Sequence, residues 1–296
     1  IHPRVSHLGT GNQAGGVLDK IAGLSDPAAA GEIIFRDQIA PVIILTEALS
    51  FYTPLFLAFL RQFEAYNVKW FSARCFGFQG LLQWYDIRPY AAASYNAMNE
   101  ADSLQALGAL LNGTYLDEVL MDSSTYEEVE TRLDLFSAKH LYQAAAALPQ
   151  EMKQDFQALL DKRMAGVSAV LSLRLKRNYQ WDEGRIRSWL AQLPEAAGGA
   201  RRLHAKALQD VLTGYLEGAR AKGAPEPSLM DIEHVVNQYD YDWISSAFHR
   251  DFFSVACVLA YLWLLSFQIR NLFKVIEGRR FGFSPDRIMS RIVCGV

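Results

Sequence analysis

Runs in which β-branched or aromatic residues alternate with polar ones are nearly absent from this chain, which excludes a sheet protein. Cysteine is scarce: Cys75, Cys257 and Cys294 are too few and too scattered for a disulfide framework or a zinc site. Two of them stand among apolar or aromatic neighbours, and the reading is buried free thiols in a reducing compartment. No sign of charge dominates, since 29 Lys and Arg face 32 Asp and Glu for a net charge of −3. Such a balance gives no global pull toward nucleic acid. Motifs of enzymes are missing as well: there is no His-Glu-x-x-His and no Gly-x-Ser-x-Gly. The six histidines (His2, His7, His140, His204, His234, His249) are scattered. Catalytic residues, cofactor-binding residues and metal ligands are therefore expected to be none, as is a small-molecule substrate.

Partial motifs carry little. Gly9-Thr10-Gly11 lacks a preceding strand and a following Gly-Lys-Ser/Thr, so residues 1–31, rich in Gly, Ser and Ala, read as a flexible entry segment without a basic-then-apolar leader. His249-Arg250-Asp251 resembles a kinase catalytic tripeptide but has no Asn five residues on. Asp240 and Asp242 could hold a cation, but two carboxylates rarely suffice and a helix-start role is the commoner one. Glu127, Glu128 and Glu130 lack the helical Glu-x-x-His partner of di-iron bundles and read as a solvated face. The aromatic group Trp70, Phe71, Phe76, Phe78, Trp84 and Tyr85 lacks the surrounding Lys and Arg that base stacking needs, so it reads as core.

What the chain does have is helix. Composition is 51% hydrophobic and 21% charged, a globular balance, with Ala and Leu filling the segment interiors. The span 35–63 is strongly apolar, with breaks or kinks expected at Pro41 and Pro54. Helices are expected over 64–75, 84–99 and 101–111. Ser124 with Glu127 forms a candidate capping box for a helix running to about residue 148. Pro149, the Pro194–Gly199 stretch and the Gly223–Pro227 linker separate further helices over 150–177, 183–193, 200–222 and 229–238. The closing stretch begins with sixteen almost wholly apolar residues, 252–267, short of the about 20 that a membrane span needs, so a buried core helix is the reading. It continues amphipathically, with Ile269, Leu272, Phe273 and Ile276 on one face and Arg270, Asn271, Lys274 and Glu277 on the other. Phe281-Gly282-Phe283 offers a stop, and Ser284-Pro285 offers a cap and first turn for a short last helix.

Charge is unevenly spread: eleven acidic residues lie in 100–160, while 268–296 holds Arg270, Lys274, Arg279, Arg280, Arg287 and Arg291 against Glu277 and Asp286. These are solvated helix faces or docking surfaces of opposite sign. Arg270, Lys274, Arg279 and Arg280 are the candidate interaction surface.

A short pattern recurs three times: Glu64-x-x-Asn67-Val68, Asp182-x-x-Arg185-Ile186 and Gln268-x-x-Asn271-Leu272. At i, i+3 on a helix the two polar residues of each copy share one face and can pin a module. Ala73-Arg74-Cys75-Phe76-Gly77-Phe78 is echoed by Gly278-Arg279-Arg280-Phe281-Gly282-Phe283. With these copies, Ala260-Tyr261-Leu262, Arg270-Asn271-Leu272, Ile276, Gly278, Phe281-Gly282 and Ile292-Val293, the sequence resembles the C-type subunits of the V-type (A-type) rotary ATPases, whose eukaryotic relatives are the d-type subunits. The resemblance implies an all-α fold of three similar helical modules (32–113, 114–224 and 225–296) in a pseudo-threefold funnel or wedge. It further implies a non-catalytic socket between the central shaft subunits, of the D and F type, and the membrane proteolipid ring, peripheral on the cytoplasmic face. A helical scaffold or binding protein, with or without a membrane hairpin at 252–267, is the alternative, and a helical enzyme whose site carries no known motif is a weaker rival.

Overall fold

The computed structural model describes residues 26–79, 84–120, 123–194, 200–250 and 254–295; the first 25 residues of the expected entry segment lie outside these. Among the described residues eleven α-helices and two short 3-10 turns occur and no strand does. The fold is all-α, as the sequence indicates.

Helix α1 (Pro27–Ala48) opens on an Asp26 carboxylate that accepts the Ala28 N–H at 2.9 Å, with Pro27 in the first turn. It runs on through Pro41, unbroken, because Ile39 and Val42 on either side are fully buried and core packing outweighs one lost backbone bond. The break comes instead at Leu49, where a 3-10 turn (Ser50–Tyr52) swings the chain by 109° into α2 (Thr53–Cys75), with Pro54 in its first turn. Two short helices follow, α3 (Tyr95–Glu100) and α4 (Leu104–Leu111), each started by a serine hydroxyl, Ser94 and Ser103, that accepts an N–H three residues on. The helix expected over 84–99 shrinks to α3. Residues 84–93 form an irregular strap instead, since Pro89 lacks the N–H a helix interior needs and side chains of α2 satisfy this backbone.

Helix α5 (Tyr126–Ala146) starts one residue later than the Ser124–Glu127 box implies. Thr125 Oγ1 accepts the Glu128 N–H at 3.4 Å, and the Glu128 carboxylate reaches back to the Ser124 N–H and hydroxyl. Next come α6 (Gln150–Arg177), α7 (Glu183–Leu190), α8 (Ala200–Ala221) and α9 (Leu229–Arg250), the last twelve residues longer than expected. Helix α10 (Val255–Arg280) and the short α11 (Pro285–Met289) close the chain.

The chain gathers into two compact units, one of residues 1–129 with 265–292 and one of residues 130–264 with 293–296, so that the division falls within α5 and α10. In the first unit α2 is the central element and packs on α1, α3 and α4. Its residues are apolar nearly all round from Leu55 to Leu60, the pattern of a helix enclosed by others. Phe35, Phe59 and Phe63 meet edge to face at 4.9–5.3 Å in this core. In the second unit α6 is central and packs on α7, α8 and α9. Leu171, Leu175, Trp181 and Ile186 form one apolar cluster there, and Leu135, Ala138, Met164 and Leu193 another.

Residues 256–280 are long and apolar enough to cross a membrane, yet half of an apolar 18-residue stretch within them is buried inside the protein, as in a core helix. No hairpin forms in the described part of 252–267: α10 runs straight through it because neither Gly nor Pro interrupts it, and residues 252 and 253 lie outside the described ones.

One close approach fixes the second unit. Asp240, wholly buried on α9, accepts the Arg163 guanidinium of α6 and the Trp243 Nε1–H at 3.0 Å. A Cβ on Gly166 would come within 2.5 Å of an Asp240 oxygen. Gly166→Ala is therefore expected to destabilise the protein by about 1–3 kcal/mol. Gly214→Ala, where a Cβ meets nothing within 4 Å on α8, should be neutral or stabilise by up to about 1 kcal/mol. Urea denaturation of both variants checks the contrast.

Candidate functional site

The three motif copies occupy three different settings. In the first, Glu64 and Asn67 lie one turn apart on α2, both buried, and face the strap. The Asn67 side chain donates to the Tyr85 carbonyl at 2.9 Å and accepts the Tyr85 N–H at 3.0 Å, so one amide satisfies both backbone groups of one residue. The Glu64 carboxylate accepts the Ala92 N–H at 2.7 Å and the Ala93 N–H at 3.4 Å through one oxygen. Burial pushes its pKa up to about 7, against the lowering effects of those two N–H groups and of Arg61. Tyr85, thus held, packs its ring on Phe35, Phe63 and Phe273 at 5.0–5.5 Å.

In the second copy Asp182 does not share a helix face with Arg185. It is the cap of α7 and accepts the Arg185 N–H at 2.8 Å, while the Arg185 guanidinium lies 3.7 Å from the centre of the Trp181 ring. The irregular turn before it, with Gln180 at φ 55°, starts the helix at 183 and so places the acid outside. In the third copy Gln268 donates to the Gln38 side chain of α1 at 2.7 Å, and Asn271 is buried one turn later on α10. The first and third copies thus sit inside long helices and are buried or part-buried; the second starts a short one at the surface.

The two Phe-Gly-Phe turns coincide more closely. Gly77 N–H bonds the Arg74 carbonyl and Phe78 N–H the Ala73 carbonyl, while Gly282 and Phe283 repeat this onto Arg279 and Gly278. Both glycines have positive φ, 82° and 67°, in the paired-bond arrangement that closes a helix on a left-handed residue. The phenylalanines stay at the surface, with Phe281 61% exposed. Phe76 and Phe78 meet the Tyr126 ring; Phe281 and Phe283 stack at 5.9 Å under the Arg280 and Arg287 guanidinia. Of the four cations expected to form an interaction surface, Arg279 and Arg280 are exposed at the second turn. Arg270 and Lys274 are part-buried, one donating to the Ser266 carbonyl and the other to the Arg291 carbonyl at 2.8 Å. Arg287 joins the exposed pair.

The sequence matches the family profile of the ATP synthase (C/AC39) subunit over residues 53–291. The chain belongs to the ATP synthase (C/AC39) subunit family. Comparison with curated proteins and with solved structures gives no match. The span matched to the C/AC39 family contains all three motif copies and both Phe-Gly-Phe turns.

Other candidates in this C/AC39 family member resolve into packing. Asp240 is mid-helix and ion-paired rather than at a helix start, and Glu130 is bonded to Tyr179 and Arg174. Arg174 also meets Asp134 at 3.2 Å and Glu233 at 3.4 Å; burial opposes its charge, and these carboxylates more than offset that and raise its pKa. Part of the acidic 100–160 stretch is therefore neutralised internally. His204 lies against Tyr239 and Trp243, and burial with Lys162 nearby pushes its pKa down to about 4, so it packs as a neutral ring. Phe71 and Trp84 are core as expected, whereas Phe76 and Phe78 are exposed, and the three cysteines are part-buried thiols outside any disulfide. Among the described residues no group of three or more His, Cys, Asp or Glu is arranged to hold a metal ion.

The difference between the first and second copies is measurable. Asn67→Ala removes two bonds to buried backbone and is expected to cost about 2–4 kcal/mol. Asp182→Asn keeps a good cap and should cost less than about 0.5 kcal/mol. Equal losses in urea unfolding would contradict this assignment of roles.

Proposed function

We propose that this protein is the non-catalytic socket of a V-type or A-type rotary ATPase, passing torque between the central shaft and the membrane proteolipid ring. Membership of the C/AC39 family carries the reading. The proposed partners are shaft subunits of the D and F type on one side and the ring on the other, with the protein peripheral on the cytoplasmic face. A part of this kind transmits load without chemistry of its own. It needs a shape that resists deformation, which close-packed helices with buried polar pins supply.

The threefold use of one module, with boundaries near 113 and 224, belongs to the same proposal. Its support is the recurrence of the Glu/Asp/Gln-x-x-Asn/Arg pattern and of the Phe-Gly-Phe turn. In this reading the pattern is a structural pin, and contact with partners falls to exposed module ends such as the Arg279, Arg280 and Arg287 turn with its surface phenylalanines.

Co-purification tests the proposal. The tagged protein, expressed with the shaft and ring subunits of its own complex, is expected to bring both down; recovery of neither would sink the reading. The double reversal Arg279→Glu with Arg280→Glu is expected to weaken recovery at least tenfold while helical circular dichroism stays unchanged, because opposed like charges at an interface penalise association.

A further inference from the structure

The Glu64 carboxyl is fully buried at mid-helix, and only one of its oxygens has partners. Its other oxygen, Oε2, is shielded from solvent and has no hydrogen-bond partner. One turn earlier on α2 the Arg61 Nε is likewise buried without a partner, its guanidinium lying over the Tyr115 ring at 4.0 Å. The groups that Glu64 does hold belong to the strap, which has no regular structure of its own and is tied to α2 at Tyr85 and at Ala92–Ala93. An ionisable group in a dry setting thus ties an irregular segment of the unit to α2.

We propose that Glu64 is a pH-operated latch: its neutral carboxyl holds residues 84–93 against α2, and its ionised form favours opening of that strap to water. The inference goes beyond the socket reading and does not depend on it. A charged carboxyl with one oxygen unsatisfied in a dry site lacks the solvation it gains once the strap lifts. The neutral acid loses little on burial and still accepts from Ala92.

The charged and titratable groups around it favour this direction. On α2 itself, Arg61 is the charge that acts on Glu64, and it offsets only part of the burial effect. Lys69 lies toward Tyr66, further along the helix. On the strap, Asp86 is engaged with Arg88 and with Arg36 of α1. From α10, Arg270 and Glu277 act on Tyr85, with opposite sign. Burial dominates, and the closed strap keeps the Glu64 proton up to about pH 7, against an ordinary 4.5 when the group is exposed. Between those values opening releases a proton, so rising pH drives it. Above about pH 7 both forms are ionised and the effect levels off.

The experiment is amide hydrogen exchange of the full chain from pH 5 to 8.5, corrected for intrinsic rate, alongside carbon-13 detection of the Glu64 carboxyl. Protection of Ala92 and Ala93 relative to α2 is expected to fall roughly tenfold per pH unit up to about pH 7 and then to level off. The carboxyl should titrate with a midpoint near 7. Glu64→Gln should give a flat profile at the protected level. A wild-type carboxyl midpoint below 5 overturns the latch, as does a Glu64→Gln profile that follows the wild type. The wild-type titration decides the matter if the variant fails to fold.

Discussion

The first unit rests on one constraint: ten residues of irregular chain lie against a buried helix, and beyond the Tyr90 N–H bond to the Ile87 carbonyl and the Arg88 N–H bond to Asp86 their backbone polar groups need partners from outside the strap. The Asn67 amide answers it at Tyr85 by offering a donor and an acceptor side by side, as a neighbouring strand would. An unmet buried N–H or carbonyl costs about 1–3 kcal/mol, a large share of a domain's net stability. Tyr85, held there, packs its ring edge-on or tilted against Phe35, Phe63 and Phe273, so polar placement and apolar packing meet at one residue.

The second unit solves a related problem with charge. Arg163 and Asp240 neutralise each other where α6 meets α9, and Trp243 occupies the remaining carboxylate oxygen. Arg174 gathers Glu130, Asp134 and Glu233 from α5 and α9 around a single guanidinium. Ion pairs out of water contribute little net stability beside an apolar alternative, but breaking one member is costly because it leaves a buried charge without its partner.

The helical class, most helix positions and the turn at Gly282 were legible from residue spacing, because capping and glycine rules act locally. The family was legible from the closing 45 or so residues. Three features were not. The strap was read as helix because Trp84–Asn99 has helix-compatible composition, and only Pro89 signalled otherwise; its pairing with Asn67 spans 18 residues in sequence. Asp182 matched the repeat by spacing, but spacing does not say whether an acid precedes a helix or lies within it. Asp240 was read with Asp242 as a cation site or a helix start, since its partner Arg163 lies 77 residues away and leaves no local signal.

The two Phe-Gly-Phe turns share their bonds although the helices they end share little else: α2 is enclosed by neighbours, and α10 ends on the short α11. Side chains in a core can exchange volume with one another as sequences diverge, but a left-handed backbone position has few substitutes for glycine. Gly77 and Gly282 should therefore outlast the apolar residues around them in distant relatives. They give fixed reference points for setting one copy of the pattern against another when overall similarity has faded.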